Sequence, residues 1–151
     1  MAALTVHLVD LLRRGHETHD AEPADVVAAA RLHLQRGDRM QAERLLRGLV
    51  AHNESSVCGE CGRELSLICK RTGRWSEAVA FWRRMLEADR FDVFAAEELA
   101  KWLEHHEMRF IEALEVVEPA LEALEVAEGG MREALTHRVN RLRRRIGKQP
   151  C

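Results

Sequence analysis

Three alanines recur at nearly constant spacing, and they constrain the fold more than any other feature of the chain. Ala42, Ala78 and Ala113 lie 36 and 35 residues apart, each beside an acidic residue. Apolar residues follow each of them four and seven positions later. A period of about 34 residues is typical of repeated helical hairpins, in which a small residue lies where two helices cross. Because one hairpin cannot bury its apolar face alone, we expect the hairpins to stack.

Each alanine follows a turn between two amphipathic segments. The first two turns contain Gly37 and Gly73, whereas the third has Met108 where a glycine is expected. An Arg-rich helix with an apolar stripe follows the repeats; the stripe residues are Met131, Leu135, Val139, Leu142 and Ile146. Such a stripe suits a terminal capping helix, because it offers one apolar face to the last repeat and a charged face to water.

These segments predict an all-α chain that forms a right-handed α-α superhelix. We expect an N-terminal helix and linker over residues 1–22, and about three helical hairpins over residues 23–128. A basic capping helix and tail would occupy residues 129–151.

Charge is unevenly distributed, although the formal net charge is only −2. Residues 87–128 contain 13 acidic and 3 basic residues, whereas residues 130–151 contain 7 basic and 1 acidic. The simplest explanation of this asymmetry is that the acidic segment and the basic segment pack against each other within the fold. The small net charge does not by itself steer the protein to nucleic acid or to a membrane.

No carboxylate cluster, nucleophile triad or phosphate loop stands out, so we predict that the chain is not an enzyme.

The alanine spacing and the turn glycines resemble the tetratricopeptide repeat over about residues 23–128. The runs GRWSEA (residues 73–78) and ELAKWLEHH (residues 98–106) are similar to the C-terminal repeat region of bacterial ribonuclease-H-like (YprB-type) proteins. In that family an exonuclease-like domain precedes tetratricopeptide-like repeats. The resemblance implies that this chain corresponds to the helical tail without the nuclease domain.

The resemblance to repeat proteins implies a non-catalytic module for protein–protein interaction, that is, a scaffold or adaptor. Its partner would be a protein or peptide lying along the first helices of the hairpins. By repeat position, the groove residues are Val27, Arg31, Leu34, Arg63, Leu67, Lys70, Glu98, Trp102 and His105. The alternative groove occupant is the N-terminal or C-terminal helix of the chain itself. The alternative function is a nucleic-acid-binding accessory that contacts phosphates through the Arg-rich C-terminal helix.

Cys58 and Cys61 have the spacing of half a tetrahedral zinc site. The remaining ligands would have to come from Cys69, His52 or Cys151. The alternative, which we favour, is that the two cysteines pack as small residues in the first turn of a helix. We therefore predict no cofactor and no catalytic or metal-binding residue. The cysteine pattern and the absence of an export signal favour a cytoplasmic protein. We expect no membrane partner, and we expect the protein to be either a monomer or a homodimer.

Overall fold

The structure, a computed structural model, describes residues 22–52, 59–124 and 129–148. Every regular element in these ranges is a helix, which confirms the all-α class. The elements are α1 (Pro23–Gln35), α2 (Arg39–His52), α3 (Glu60–Arg71), α4 (Trp75–Ala88), α5 (Val93–Trp102), a π-helical segment (Leu103–Glu107), α6 (Phe110–Ala123) and α7 (Gly129–Ile146). The predicted N-terminal helix lies outside the described residues.

The chain divides into two compact units, and the division falls inside α4. The N-terminal unit is Met1–Phe81 and the C-terminal unit is Trp82–Cys151.

In the N-terminal unit, α1 packs on α2 and α2 packs on α3. Ala29 and Ala30 give α1 a small-residue face, which lets the two helices approach closely. Ala42 and the apolar residues four and seven positions after it, Leu46 and Leu49, are buried together with Leu45, as expected for the inward face of a stacked hairpin. Leu65 and Ile68 of α3 complete the same apolar cluster.

The three turns before the repeat alanines have a positive φ at the same position of the register. Gly37, Gly73 and Met108 have φ angles of 83°, 75° and 55°, and each lies five residues before an alanine of the register. Glycine adopts this left-handed region at no steric cost, whereas for another L-residue it costs roughly 1–2 kcal/mol. The third turn therefore keeps the positive φ of the other two, although its sequence lacks the glycine.

In the C-terminal unit, α5 packs on α6 and α6 packs on α7. Asp92 begins α5, because its Oδ1 accepts a hydrogen bond from the backbone N–H of Ala95 over 2.9 Å. The buried residues of α5, the π-helical segment and α6 are mostly small or aliphatic: Ala95, Ala96, Leu99, Ala100, Leu103, Phe110, Ala113, Val117 and Ala120.

The predicted stripe of the capping helix is confirmed in its middle and differs at its two ends. Leu135, Val139 and Leu142 are buried, but Ile146 is only half-buried and Met131 is exposed. At the start of α7 it is the neighbouring residue, Arg132, that faces α6: its Nη1 donates to the carbonyl oxygens of Leu121 and Leu124. Met131, the adjacent residue, points away from this contact because successive helix residues differ by about 100°.

Candidate functional site

Arginine–glutamate pairs connect α2 with α4 in the N-terminal unit. Arg47 on α2 donates from Nη2 to Glu77 on α4 over 2.5 Å and from Nε to Glu43 over 2.8 Å. Arg74, in the turn before α4, donates from its two Nη atoms to the two carboxylate oxygens of Glu43 over 2.6 and 2.7 Å. The hydrogen bonds from Arg74, together with those from Arg47, outweigh partial burial and lower the pKa of Glu43 to about 2.

The same contact recurs in the C-terminal unit. Arg83 on α4 donates from Nη2 to Glu112 on α6 over 2.8 Å. Arg47 and Arg83 each lie five residues after a repeat alanine, and their partners Glu77 and Glu112 each lie one residue before the next alanine. Equivalent positions of the sequence register thus make equivalent ion pairs, one within each unit.

The predicted groove residues of the N-terminal unit divide between core and surface. Val27 is buried, and Leu34 packs against the same apolar cluster. Arg31 links α1 to α3, because its Nε donates to Glu64 over 2.7 Å and its Nη1 lies 3.2 Å from Glu60. The other three are Arg63, which is exposed, and Leu67 and Lys70, which are half-buried. Val27, Arg31 and Leu34 therefore stabilise helix packing.

Two of the predicted groove residues of the C-terminal unit also have local partners. Glu98 is buried and accepts a hydrogen bond from Lys101 Nζ over 2.9 Å. Trp102 stacks on His106 with ring centroids 4.1 Å apart, and its Nε1 donates to Glu107 over 2.8 Å. Six of the nine predicted groove residues belong to the N-terminal unit and three to the C-terminal unit.

Glu104 forms a buried charged cluster that the sequence did not predict. Its side chain is fully buried in the π-helical segment and accepts hydrogen bonds from Arg141 Nε and Nη2 over 2.8 and 2.7 Å, and from Arg138 Nη1 over 3.0 Å. His105, the third predicted groove residue of this unit, is exposed, and its Nε2 lies 3.7 Å from Glu104 Oε2. Burial alone would raise the pKa of Glu104, but the bond from Arg141 and the charges of Arg141, His105 and Arg138 hold it below its usual value.

The basic C-terminal helix therefore finds acidic partners within its own unit, as the charge distribution predicted. Besides the two arginines on Glu104, Arg143 Nη2 donates to Glu118 on α6 over 2.7 Å. Arg145 lies over the ring of Phe110, with its Cζ 5.4 Å from the ring centroid. With Arg132, which donates to the carbonyl oxygen of Leu121, five arginines of α7 thus contact α6 or the π-helical segment, which leaves fewer guanidinium groups for phosphates than the sequence alone indicates.

The buried thiols act as core groups. Cys61 is buried, and its Sγ donates to the carbonyl oxygen of Leu46 over 3.5 Å. Burial, with the nearby charge of Glu64, raises the pKa of Cys61 to about 11, so the group is a thiol at neutral pH. Zinc binds the thiolate form. Cys58 lies outside the described residues, within which no three His, Cys, Asp or Glu side chains are grouped to hold a metal ion.

A surface recess of about 510 Å³ lies at the turn side of the N-terminal unit. We call it the basic recess, and its lining residues are Arg39, Met40, Glu43, Arg44, Arg47, Thr72 and Arg74. Four of the seven are arginines, and Met40 is 78% exposed. Sequence reasoning missed this site, because its residues come from the start of α2 and from a turn some 30 positions later.

A second recess, of about 450 Å³, lies at the third turn, in the C-terminal unit. We call it the turn recess, and it is lined by Met108, Arg109, Phe110, Ile111, Glu112 and Glu115. Met108 and Ile111 are 57% and 58% exposed. Arg109 pairs with Glu107 and with Glu112, so the charged groups at its rim are already neutralised in part. Both recesses thus contain exposed apolar side chains, but arginines predominate among the charged residues of the basic recess and glutamates among those of the turn recess.

No family model, curated protein or solved structure matches this chain. The resemblances to tetratricopeptide repeats and to ribonuclease-H-like proteins therefore stay predictions. Within the described ranges, no helix is long and apolar enough to cross a membrane.

Proposed function

We propose that this chain is a non-catalytic protein–protein interaction module built of tetratricopeptide-like repeats. In the same proposal it acts as a cytoplasmic scaffold or adaptor, the repeat tail of a ribonuclease-H-like exonuclease-type protein. The recurring arginine–glutamate pair supports the repeat organisation, since equivalent positions make it in both units. Glu43, whose pKa is lowered to about 2, is held by Arg74 and Arg47, which favours a structural over a catalytic use of this carboxylate.

One observation carries the interaction role: exposed apolar side chains concentrate at the two recesses. The described residues include five exposed large hydrophobic side chains, and three of them, Met40, Met108 and Ile111, line a recess. Met40 and Ile111 also occupy equivalent positions, each two residues before a repeat alanine. Grouped exposed apolar residues rimmed by charges are typical of sites where proteins bind partners.

Photo-crosslinking tests this proposal directly. A photoreactive amino acid would replace Met40 or Ile111 in the protein produced in its native cells. Arg84 and Glu133, exposed helix positions outside both recesses, serve as matched controls. We expect protein adducts from the recess positions that disappear when excess unmodified protein competes. Recess positions that yield no more competable adduct than the control positions would contradict the proposal.

The alternative function, nucleic-acid binding through α7, has less support. Arg138, Arg141 and Arg143 donate to carboxylates of the same unit, so phosphate contacts would have to displace ion pairs already formed. Fluorescence anisotropy with labelled single-stranded and duplex oligonucleotides decides this alternative. Tight binding that falls steeply with salt concentration, and that is lost when Arg144 is replaced, would favour it.

A further inference from the structure

The basic recess has a charge opposite in sign to that of the whole chain. Four arginines and one glutamate give its lining a formal charge of +3, whereas the chain carries −2. Including Glu77, which pairs with Arg47 just outside the lining, still leaves +2. Such a concave site, with one sign of charge on a protein of the other sign, concentrates anionic groups locally.

Two of the four arginines are held in fixed positions. Arg74 donates through Nη1 and Nη2 to Glu43 and through Nε to Thr72 Oγ1 over 2.9 Å. Arg47 lies between Glu43 and Glu77. A guanidinium group has five N–H donors, so each keeps donors for a ligand after these bonds. Because their side chains are already ordered, a ligand pays little conformational entropy to engage them.

The other two arginines are available to a ligand. Arg39 and Arg44 are exposed, and neither side chain makes a hydrogen bond or ion pair with a described residue. They flank Met40, the most exposed large hydrophobic side chain of the described residues. The recess therefore places an unbranched, adaptable apolar side chain between groups that bind carboxylates.

We propose that the basic recess binds an acidic segment of a partner protein, with Asp or Glu carboxylates on the four arginines and an apolar side chain on Met40. This inference rests on the proposed function, because it names the partner chemistry of one recess. The volume of about 510 Å³ lies in the range of sites that enclose a ligand of several side chains.

The same residues disfavour a nucleic acid as the ligand. The lining contains no aromatic side chain on which a base could stack. An acidic peptide can direct its carboxylates to the arginines and place an uncharged side chain beside Met40.

Fluorescence anisotropy on the full chain tests the inference with two labelled peptides of sequence DELDEL and NQLNQL. We expect DELDEL to bind and NQLNQL to bind at least about tenfold more weakly, since charge-assisted bonds are the stronger ones. The double variant Arg39→Ser/Arg44→Ser should weaken DELDEL binding at least about tenfold without affecting the fold, because neither side chain has a partner among the described residues. Circular dichroism confirms the fold of each variant.

The control double variant, Arg84→Ser/Arg144→Ser, removes the same charge from exposed positions of the C-terminal unit. It should change DELDEL binding by less than about twofold, a small effect consistent with screened long-range charge. Equal losses from the two double variants would overturn the inference, because the peptide would then sense only net charge. Tighter binding of a twelve-nucleotide oligo(dT) that depends on Arg39 and Arg44 would overturn it in favour of a nucleic-acid site.

The crosslinking experiment separates this inference from the function on which it rests. Competable protein adducts from position 40 that map to segments without Asp or Glu would refute the acidic ligand and leave the interaction role standing. A lack of competable adducts from both recesses would refute the interaction role itself.

Discussion

Replacing Glu104 by glutamine tests how far one buried carboxylate stabilises the C-terminal unit. The substitution keeps the shape of the side chain, so it creates no cavity, but it removes the charge that faces Arg138 and Arg141. One oxygen that accepted hydrogen bonds becomes an amide group that can only donate. The guanidinium group of Arg138 would then face the NH₂ group of the glutamine, so that two hydrogen-bond donors face each other.

The magnitude follows from the exposure of the two arginines. Breaking a buried ion pair by removing one partner typically costs about 3–5 kcal/mol. The side chain of Arg141 is 40% exposed, so water can solvate its charge and offset most of the free energy that Arg141 loses with its partner. The side chain of Arg138 is only 13% exposed and stays close to the altered group. We therefore expect Glu104→Gln to lower the free energy of unfolding by about 3 kcal/mol.

Urea unfolding followed by circular dichroism measures this loss, and Glu118→Gln is the matched control. Glu118 also accepts a hydrogen bond from an arginine of α7, but its partner Arg143 is 60% exposed. Exposed pairs contribute about 0–1 kcal/mol, so the control variant should unfold at nearly the same urea concentration as the parent. Replacing Glu104 by leucine together with Arg138 by methionine should recover at least half of the loss, because the poorly exposed charge of Arg138 is then removed and only Arg141, which is 40% exposed to water, has lost its partner. Equal effects of Glu104→Gln and Glu118→Gln would refute the reasoning.

Two further predictions concern the N-terminal unit and the glycine positions. The pKa of Glu43 is about 2 in the fold, against 4.5 for an unperturbed glutamate, so the stabilisation that it contributes is complete above pH 4.5 and is lost as the pH falls toward 2. The urea midpoint of Glu43→Gln should therefore vary less with pH across that window than the parent's, and equal slopes would contradict the assignment. Gly73 has a φ of 75° and Gly130 lies in α7, and at neither would an added Cβ come within 4 Å of another atom. Thermal unfolding should show Gly73→Ala destabilised by about 1 kcal/mol and Gly130→Ala stabilised by about 0.5 kcal/mol, and effects of the same sign would be inconsistent with a purely conformational origin.

The sequence predictions that the structure confirms are based on local patterns. The alanine register placed the buried residues of α2, and the turn signals placed Gly37 and Gly73. The charge asymmetry anticipated that α7 would pair with acidic residues. The first two depend on helix periodicity and on the φ preference of glycine, which involve residues only a few positions apart, and the third depends on the composition of two segments.

Glu104 and the basic recess could not be found in this way. Glu104 reads as a surface residue near the end of an amphipathic helix, and only the packing of α7 encloses it with Arg138. The predicted groove likewise depended on which faces of the helices remain uncovered, and packing buried Val27 instead.

The sequence by itself determined most of the helices, the turns between them and many of the core residues, because these follow from periodicity and from backbone preferences within a few positions. It also determined the repeat register, in which Ala42, Ala78 and Ala113 occupy equivalent positions. Only the tertiary structure decided which charges pair, which apolar side chains stay exposed and where a recess forms. Burial and ion pairing depend on residues some 30 positions apart meeting in space, and no local pattern specifies that meeting.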